Sequence, residues 1–451
     1  MATYLPTPAN ASDTYVTGRG AAWFAFAMTL ALMLFDYVDR QVIVSLFPHM
    51  KAAWGLSDKQ LGALVSIVSV TVALGALPVA LIADRASRVK SIAVMATAWS
   101  LATISCMFTR NFGQLLAARA VVGLGEAGYG SVGAALIASV FPARLRGALL
   151  AAFFATASVG SVLGVLLGGF IAAHWGWQAA FGVVGVPGLV FALLYLKVRD
   201  YKTVALTPKL DEATRSTGST VAYVAKSLAK SRTMLWVCLG GASQLIVVSA
   251  IWSWLPSFLN RYHGLAPAQA AARAALVVLV RAAGSVIWGT ATDRIGARRP
   301  RRKLYTMAAL CVLSALVLAP SFGATGGMAA AAQFALIALG GFLMTCSVGP
   351  VTAIVIDVIH PGVRATGASV LALFQNLFGL AAGPFIVGVL SDVLGLQAAL
   401  TLVPLAGGLA ALFFVLASRS YEGDIQRVAA VAVQGEAPHA PPPAAAAAGA
   451  R

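Results

Sequence analysis

The feature of this chain that most restricts its fold is a series of apolar windows, each about 20 residues long, that recur almost from end to end. A window of that length is what an α-helix needs to cross the hydrocarbon core of a bilayer. Charged residues make up only 10% of the chain, against roughly 25% in an ordinary soluble domain. We therefore predict an all-α integral membrane protein with twelve transmembrane helices. The predicted spans are 22–47, 59–83, 90–109, 112–140, 147–172, 177–197, 233–259, 270–291, 304–321, 328–358, 364–391 and 396–417.

The positions of the cations predict how these helices are oriented. Of the 32 Lys and Arg residues, nearly all outside the spans fall on the side that holds both termini. By the positive-inside rule, that side is cytoplasmic, so we expect a multi-pass protein of the cell inner (plasma) membrane. Orientation accounts for the net charge of +17, and nucleic acid is not an expected partner. Five cations fall on the opposite side: Lys51, Lys59, Arg110, Arg261 and Arg273.

The polar stretch 198–232 divides the twelve spans six and six. We expect a cytoplasmic N-terminal segment (1–21), a six-helix bundle (22–197), a cytoplasmic linker (198–232) and a second six-helix bundle (233–417). The first span is too long for the core of a cleavable signal, so it should be retained. An Ala- and Pro-rich composition predicts a disordered cytoplasmic tail over 418–451.

Short motifs repeat at equivalent points of the two halves. An Asp-Arg loop follows the second span, at Asp84, and again the eighth, at Asp293. The loops that follow the fourth and tenth spans each contain a Pro and, two or three residues later, an Arg. The two halves are therefore predicted to be pseudo-symmetric. Glycines spaced four residues apart predict close helix contacts in spans five and eleven: Gly160, Gly164, Gly168, Gly379 and Gly383.

The two Asp-Arg loops, set in two six-helix halves, resemble those of the major facilitator superfamily, whose members repeat this loop after the second and eighth helices. The first copy departs from the family pattern, with Ala80 and Ser87 where glycine is usual. The resemblance implies the fold of that superfamily and a cytoplasmic gate that latches the halves together. The alternative is that these charges only orient the helices. The implied gate residues are Asp84, Arg85, Arg88, Asp293, Arg294 and Arg298.

Six ionisable side chains fall inside predicted spans: Asp36, Asp39, Arg40, Arg119, Glu126 and Arg281. Each costs roughly 2.5–3.5 kcal/mol to insert, so it needs a partner or a water-filled cavity. Arg119 and Glu126 share one helix face. If spans one and four pack together, Asp39 or Glu126 can pair with Arg40 or Arg119.

Such pairs suggest a proton switch, because an anion that binds the arginine leaves the carboxylate ready to take up a proton. A static network that holds the helices in register is the alternative. Arg281, about 18 Å from Asp293 along its helix, either binds the anion from the second half, snorkels, or pairs with a carboxylate. We assign proton coupling to Asp36, Asp39 and Glu126, and substrate binding to Arg40, Arg119, Arg281, Tyr37 and Asn376.

Within the superfamily, several phrases resemble the spinster-like branch, notably residues 36–40 (Asp-Tyr-Val-Asp-Arg) and 119–128 (Arg-x-x-x-Gly-x-Gly-Glu-Ala-Gly). Spinster-like members include proton-linked exporters of lysophospholipids and sphingoid phosphates. The same residues also resemble the anion:cation symporters, which import sugar acids and other carboxylates. The resemblance implies an organic anion as substrate, either a carboxylate or a lysolipid-like amphiphile. Arg281 departs from the spinster-like pattern and favours a compact anion. Span five lacks the proline that drug:proton antiporters place after the residue equivalent to Gly164, so drug efflux is less expected.

Other classes of membrane protein fit the sequence less well. The five histidines and four cysteines are scattered singly, with neither a nucleophile–base pair nor metal-ligand spacing, so we expect no catalytic residues, no metal and no enzyme. A channel would be expected to show a ring of filter residues. Buried charges between two pseudo-symmetric halves favour a secondary transporter that works by alternating access. We expect it to act as a monomer, with a proton gradient in place of a cofactor.

Overall fold

The chain folds into two six-helix halves, described here from a computed structural model over residues 15, 17–85, 87–199, 231–323, 327–359 and 364–435. The predicted linker therefore falls almost entirely outside the described residues, as do 1–14 and 436–451. The N-terminal half contains seven helices in six spans. They are α1 (Arg19–Trp54), α2 (Asp58–Arg85), α3 (Arg88–Cys106), α4 (Phe112–Glu126), α5 (Tyr129–Val140), α6 (Ala143–Trp175) and α7 (Trp177–Tyr195).

The C-terminal half repeats this order of spans. Its helices are α8 (Arg232–His263), α9 (Pro267–Arg298), α10 (Pro300–Gly323), α11 (Ala330–Leu343), α12 (Val348–Asp357), α13 (Arg364–Phe374), a π-helical turn (Gln375–Leu380), α14 (Ala382–Leu394), α15 (Leu396–Leu402), a 3₁₀ turn (Val403–Leu405) and α16 (Ala406–Gly435). Equivalent helices pack in equivalent pairs: α1 lies against α6 as α8 lies against α14, and α3 against α7 as α10 against α16.

The structure describes twelve helical stretches that are long and apolar enough to cross a bilayer, which confirms the predicted number of spans. It also shows that spans four and ten are each made of two helices. Span four breaks after Glu126, where Ala127 is extended and Gly128 has a φ of 83°. Span ten breaks between α11 and α12. A helix break inside a membrane needs new partners for its backbone, and the Gln244 side chain donates a hydrogen bond to the Met344 carbonyl at the second break.

Glycines bring helix backbones close together, as their spacing predicts. A methyl group at Gly160, Gly164 or Gly168 of α6 would lie within 2.6 Å of a backbone carbonyl oxygen of α1. In the eleventh span, Gly383 comes equally close to a backbone carbonyl oxygen of α8, and Gly379 lies against the Leu245 side chain of that helix. Close approach of this kind provides the van der Waals contact that holds membrane helices together.

The two halves meet along two helix pairs, α6 with α9 and α2 with α14. Small residues form both contacts: Gly169 faces Ala271, and Gly388 faces the backbone of Asp58 and Lys59. Near the α2–α14 contact, the Phe47 ring of α1 packs 5.1 Å from the Trp254 ring of α8. These interfaces place α1 of one half opposite α8 and α9 of the other.

The prediction of a disordered tail from residue 418 is wrong for its first part, because α16 continues to Gly435. The helix continues because polar side chains beyond its apolar stretch form hydrogen bonds with neighbouring helices. The Tyr421 hydroxyl donates to Asp357 at 2.8 Å, and the buried Asp424 carboxylate accepts from Ser231 Oγ and from the Thr233 amide. These bonds tie α16 to the C-terminal end of α12 and to the start of α8.

Candidate functional site

The first buried charge cluster joins α1 to the break in span four. Arg40 Nη2 lies 3.0 Å from Glu126 Oε2, and Arg40 Nε lies 3.3 Å from Asp36 Oδ1 one turn earlier on α1. The Glu126 side chain is fully buried, whereas 19% of the Arg40 side chain is exposed. Neither Glu126 oxygen accepts a well-aligned hydrogen bond from a described residue. One guanidinium therefore serves two carboxylates, and it is the accessible member of the group.

A second pair lies deeper in the same half. Arg119 Nη1 is 3.4 Å from Asp39 Oδ1, and Thr103 Oγ1 of α3 donates to the other Asp39 oxygen at 2.9 Å. Only 1% of the Arg119 side chain is exposed. The structure thus brings spans one, three and four together around Asp39. Arg119, which we expected to bind substrate, is therefore buried and paired with Asp39.

The break in span four positions Glu126. Glu126 is the last residue of α4, and the chain turns at Gly128 before α5 begins. Gly125 lies against the backbone of Trp99 on α3, with no space for a side chain. The end of α4 is therefore in direct contact with α3. Discontinuous helices near the bilayer midplane are a common way to present a polar group to a transport pathway. The periodicity of the sequence does not predict this break. The glycines at 125 and 128 are the sequence feature that could have indicated it.

The C-terminal half contributes a half-buried cation within a membrane span, Arg281 of α9. Its guanidinium carbon lies 4.0 Å from the centroid of the Trp252 ring of α8, a cation–π contact. Arg281 Nε and Trp252 Nε1 are both buried without a hydrogen-bond partner among the described residues, and no described carboxylate lies within ion-pair distance of Arg281. Of the predicted alternatives for Arg281, pairing with a carboxylate is therefore not what the structure shows.

Tyr37 connects the two groups of charges. The Arg40 guanidinium lies 5.6 Å from its ring centroid, and Tyr37 is also near enough to Arg281 to interact electrostatically. Tyr37 is therefore within electrostatic range of cations from both halves. Asn376 lies in the π-helical turn, where its amide donates to the Ala372 carbonyl of its own helix at 2.9 Å.

The predicted cytoplasmic gate makes local contacts where it is described. Arg88 donates to Ser139 Oγ at 3.0 Å, and Asp293 lies 2.6 Å from Lys303 Nζ, each within its own half. Arg294 is exposed. A latch between the halves stays a prediction. The side chains of three of its members lie outside the described residues: Asp84, Arg85 and Arg298.

At the opposite end of the helices, polar contacts do join the halves, around the buried carboxylate of Asp58. Arg261 of α8 binds it through two nitrogens at 2.6 and 2.7 Å. Lys51 and Ser391 bind the same carboxylate at 2.7 and 2.5 Å. Asp392 of α14 accepts from the first amides of α2, those of Asp58 and Lys59, at 2.8 and 2.9 Å. We call this group the Asp58 lock; sequence reasoning missed it, because its members lie far apart in the chain.

Twelve spans in two similar halves, with buried charges contributed by both, define a membrane transporter. A family model described as the Major Facilitator Superfamily matches residues 29–384, which is most of the chain. The chain therefore belongs to the major facilitator superfamily, as its Asp-Arg loops predict, and its relatives are transporters rather than enzymes.

Individual relatives agree with this assignment. The protein is 25% identical to "Protein spinster homolog 3" of Danio rerio, over 96% of this chain and 91% of the relative. It is 28% identical to a "Gallate transporter" of Pseudomonas putida, over 86% and 90%. A bacterial homologue of the human lysosomal transporter Spinster shares the fold with a TM-score of 0.78, at 21% identity and over 90% of this chain and 99% of the other. The spinster-like resemblance is confirmed.

Proposed function

We propose that this protein is a proton-coupled transporter of a compact organic anion, a carboxylate, and that it works by alternating access. One observation carries the proposal: the buried charges of the two halves are not balanced within each half. In the N-terminal half, three carboxylates share two arginines, whereas Arg281 in the C-terminal half lacks a carboxylate partner among the described residues. An anionic substrate supplies the missing counter-ion, and the excess carboxylate supplies a place for a proton.

The pairing suggests how the two binding events are coupled. Arg40 is partly exposed and shared by two carboxylates, so it can turn towards an anion held at Arg281. Glu126 and Asp36 then lose their cation, which favours uptake of a proton by one of them. Arg119 stays with Asp39 and holds the cluster in place. In this mechanism Arg281 and Arg40 bind the substrate, and Glu126 with Asp36 handles the proton.

The substrate class follows from the surroundings of Arg281. The Trp252 ring that contacts the Arg281 guanidinium, together with the Tyr37 ring that contacts Arg40, favours a small anion with a flat or apolar body. The gallate transporter of Pseudomonas putida, named for a small carboxylate, is one relative that agrees with this choice. Sugar acids and lysolipid-like amphiphiles are the competing substrates, and they differ from small carboxylates in size and in apolar area.

A transport assay with purified protein tests the proposal. Proteoliposomes with an imposed pH gradient would be supplied with labelled benzoate or gallate, a sugar acid, or a lysophospholipid. We expect a small carboxylate to be transported and its flux to follow the pH gradient. Prior thermal-shift screening would select the ligands, since a ligand stabilises the state that it binds. Transport of the lysolipid alone, or a flux that ignores the gradient, would contradict the proposal.

We further propose that the protein lies in the cell inner (plasma) membrane as a monomer, with both termini on the cytoplasmic side. The one-sided distribution of Lys and Arg supports this orientation. Single cysteines at Thr17 and Gln397, in a background without the four native cysteines, would be treated with an impermeant thiol reagent on intact cells. We expect labelling at residue 397 only; labelling at residue 17 would reverse the topology.

A further inference from the structure

A basic pocket lies within the C-terminal half, away from the buried charge cluster. It forms where α8 and α10 begin and where α16 continues past its apolar stretch, and it encloses about 630 Å³. Its charged lining consists of four arginines and two carboxylates: Arg232, Arg301, Arg419, Arg427, Glu422 and Asp424.

The two carboxylates of the pocket are already engaged. Glu422 Oε2 lies 2.8 Å from Arg301 Nε. Asp424, 4% exposed, caps the start of α8 through one oxygen and lies 3.3 Å from Arg427 through the other. Among the described residues, no carboxylate pairs with Arg232 or Arg419. The pocket therefore keeps two positive charges without a counter-ion.

The backbone adds to this positive potential. Arg301 is the second residue of α10, so the N-terminal end of α10 borders the cavity, whereas the start of α8 is already capped by Ser231 and Asp424. Helix N-termini carry partial positive charge and favour anions. Guanidinium groups bind phosphate oxygens in a matching planar geometry, so the pocket suits a phosphate group.

Apolar side chains beside the pocket indicate where that phosphate comes from. Leu235 lies one turn after Arg232 on α8, and Tyr305 one turn after Arg301 on α10. Leu235 is 38% exposed and Tyr305 is 48% exposed. Because both helices enter the predicted bilayer from this end, a side chain one turn further along each helix is expected at the level of the glycerol backbone and the upper acyl chains. Tyrosine is common at that depth.

We propose that this pocket binds the phosphate of an anionic phospholipid, with the acyl chains lying along the outer faces of α8 and α10. Two uncompensated arginines, the N-terminus of α10 and an adjoining apolar surface support this assignment. The bound lipid would hold together the starts of α8 and α10 and the end of α16. The site stands apart from the transported anion, and its existence does not depend on the proposed function.

Lipid retention by matched variants tests the assignment. The variant R232Q/R419Q removes the two uncompensated charges. The control K90Q/K197Q removes two exposed charges from the N-terminal half, at helix ends on the same side of the membrane. Each protein would be purified from membranes of phosphatidylglycerol and phosphatidylcholine, and bound lipid counted by native mass spectrometry. We expect wild type and control to retain phosphatidylglycerol, and R232Q/R419Q to bind it roughly 30-fold more weakly.

Further measurements distinguish binding of a lipid from binding of a soluble phosphate, and from a general effect of charge. Phosphatidylglycerol should raise the melting temperature of wild type, while inorganic phosphate and glycerol 3-phosphate should not. Equal stabilisation by glycerol 3-phosphate would overturn the lipid assignment. Equal lipid loss from the K90Q/K197Q control would overturn the proposal that the lipid binds in this pocket. If R232Q/R419Q does not fold, the charge-keeping variant R232K/R419K replaces it; it should retain less lipid than wild type, and equal retention would overturn the proposal.

Discussion

Among the described residues, Glu126 forms an ion pair with one guanidinium, that of Arg40, although its side chain is fully buried. A carboxylate in such a place is stable either beside its arginine or with a proton of its own. In the proposed mechanism, a substrate that competes for Arg40 would change the protonation state of Glu126 without any large movement of the backbone. The same reasoning applies less strongly to Asp39, which keeps both Arg119 and the Thr103 hydroxyl.

The first prediction concerns the proton. Glu126→Gln removes the titratable group but keeps its size, so uptake should no longer be stimulated by an imposed pH gradient. Exchange of labelled for unlabelled substrate should persist, since it needs no net proton movement. Glu126→Asp keeps a carboxylate and should retain part of the stimulation. The assay is proteoliposome uptake with and without the gradient, and undiminished stimulation of Glu126→Gln would remove this residue from the mechanism.

The second prediction concerns the anion. Arg281→Gln removes the cation proposed to bind the substrate, and a hydrogen bond to a charged group contributes about 1.5–3 kcal/mol. Substrate affinity should fall by about 10- to 100-fold, measured as KM or by thermal-shift titration. Arg273→Gln, an exposed position two turns earlier on α9, is the matched control and should bind normally. Equal affinity in both variants would mean that Arg281 is structural.

At the scale of the element, the breaks in spans four and ten show how the helices serve the site. α4 has to end at Glu126 to present that side chain, and Gly128 makes the turn possible with its positive φ. The break in span ten is bridged by Gln244 instead. The two halves thus share a broken helix at equivalent positions, and only the N-terminal copy carries a charge at the break among the described residues.

The third prediction tests the glycine contact between α6 and α1. A methyl group at Gly164 would lie 2.5 Å from the Val38 carbonyl oxygen, whereas at Gly147 of the same helix it would meet nothing within 4 Å. Gly164→Ala should destabilise the protein by about 1–3 kcal/mol, because the helices must separate. Gly147→Ala should be neutral. Melting temperatures of the two purified variants would check this, and equal values would show that α6 can shift freely against α1.

At the scale of the whole molecule, the Asp58 lock joins the two halves at the end away from the termini. Five side chains from both halves and two backbone amides of α2 meet there. The proposed alternating access requires that this end opens, so in that mechanism the lock breaks in each cycle. Its free energy would then contribute directly to the balance between the two access states.

The fourth prediction follows from that balance. Arg261→Gln removes the bidentate partner of Asp58, and losing one member of a buried ion pair costs about 3–5 kcal/mol. The halves should separate at this end more often. Spin labels at Ala53 of α1 and Gln269 of α9 would show it as a longer mean distance. Arg110→Gln, an exposed charge on the same side, should leave the distance unchanged, and an unchanged distance in Arg261→Gln would mean that Asp58 does not lock the halves.

The number of spans, the pseudo-symmetry and the glycine-mediated contacts were predictable from the sequence, because each depends on the local chain and on the bilayer. Apolar length decides whether a helix can cross, and a side chain's charge decides whether it can be buried alone. For the same reason the sequence identified Asp36, Asp39, Arg40, Arg119, Glu126 and Arg281 as the residues that need partners.

Which partner each charge takes was decided only by the tertiary structure. Arg40 and Arg119 are equivalent in charge, yet packing leaves Arg40 accessible between two carboxylates and buries Arg119 behind Asp39. The Asp58 lock joins residues more than 300 positions apart, and α16 runs past its apolar stretch because Tyr421 and Asp424 find partners on other helices. Distances between side chains on different helices depend on how those helices pack, and no local pattern encodes them.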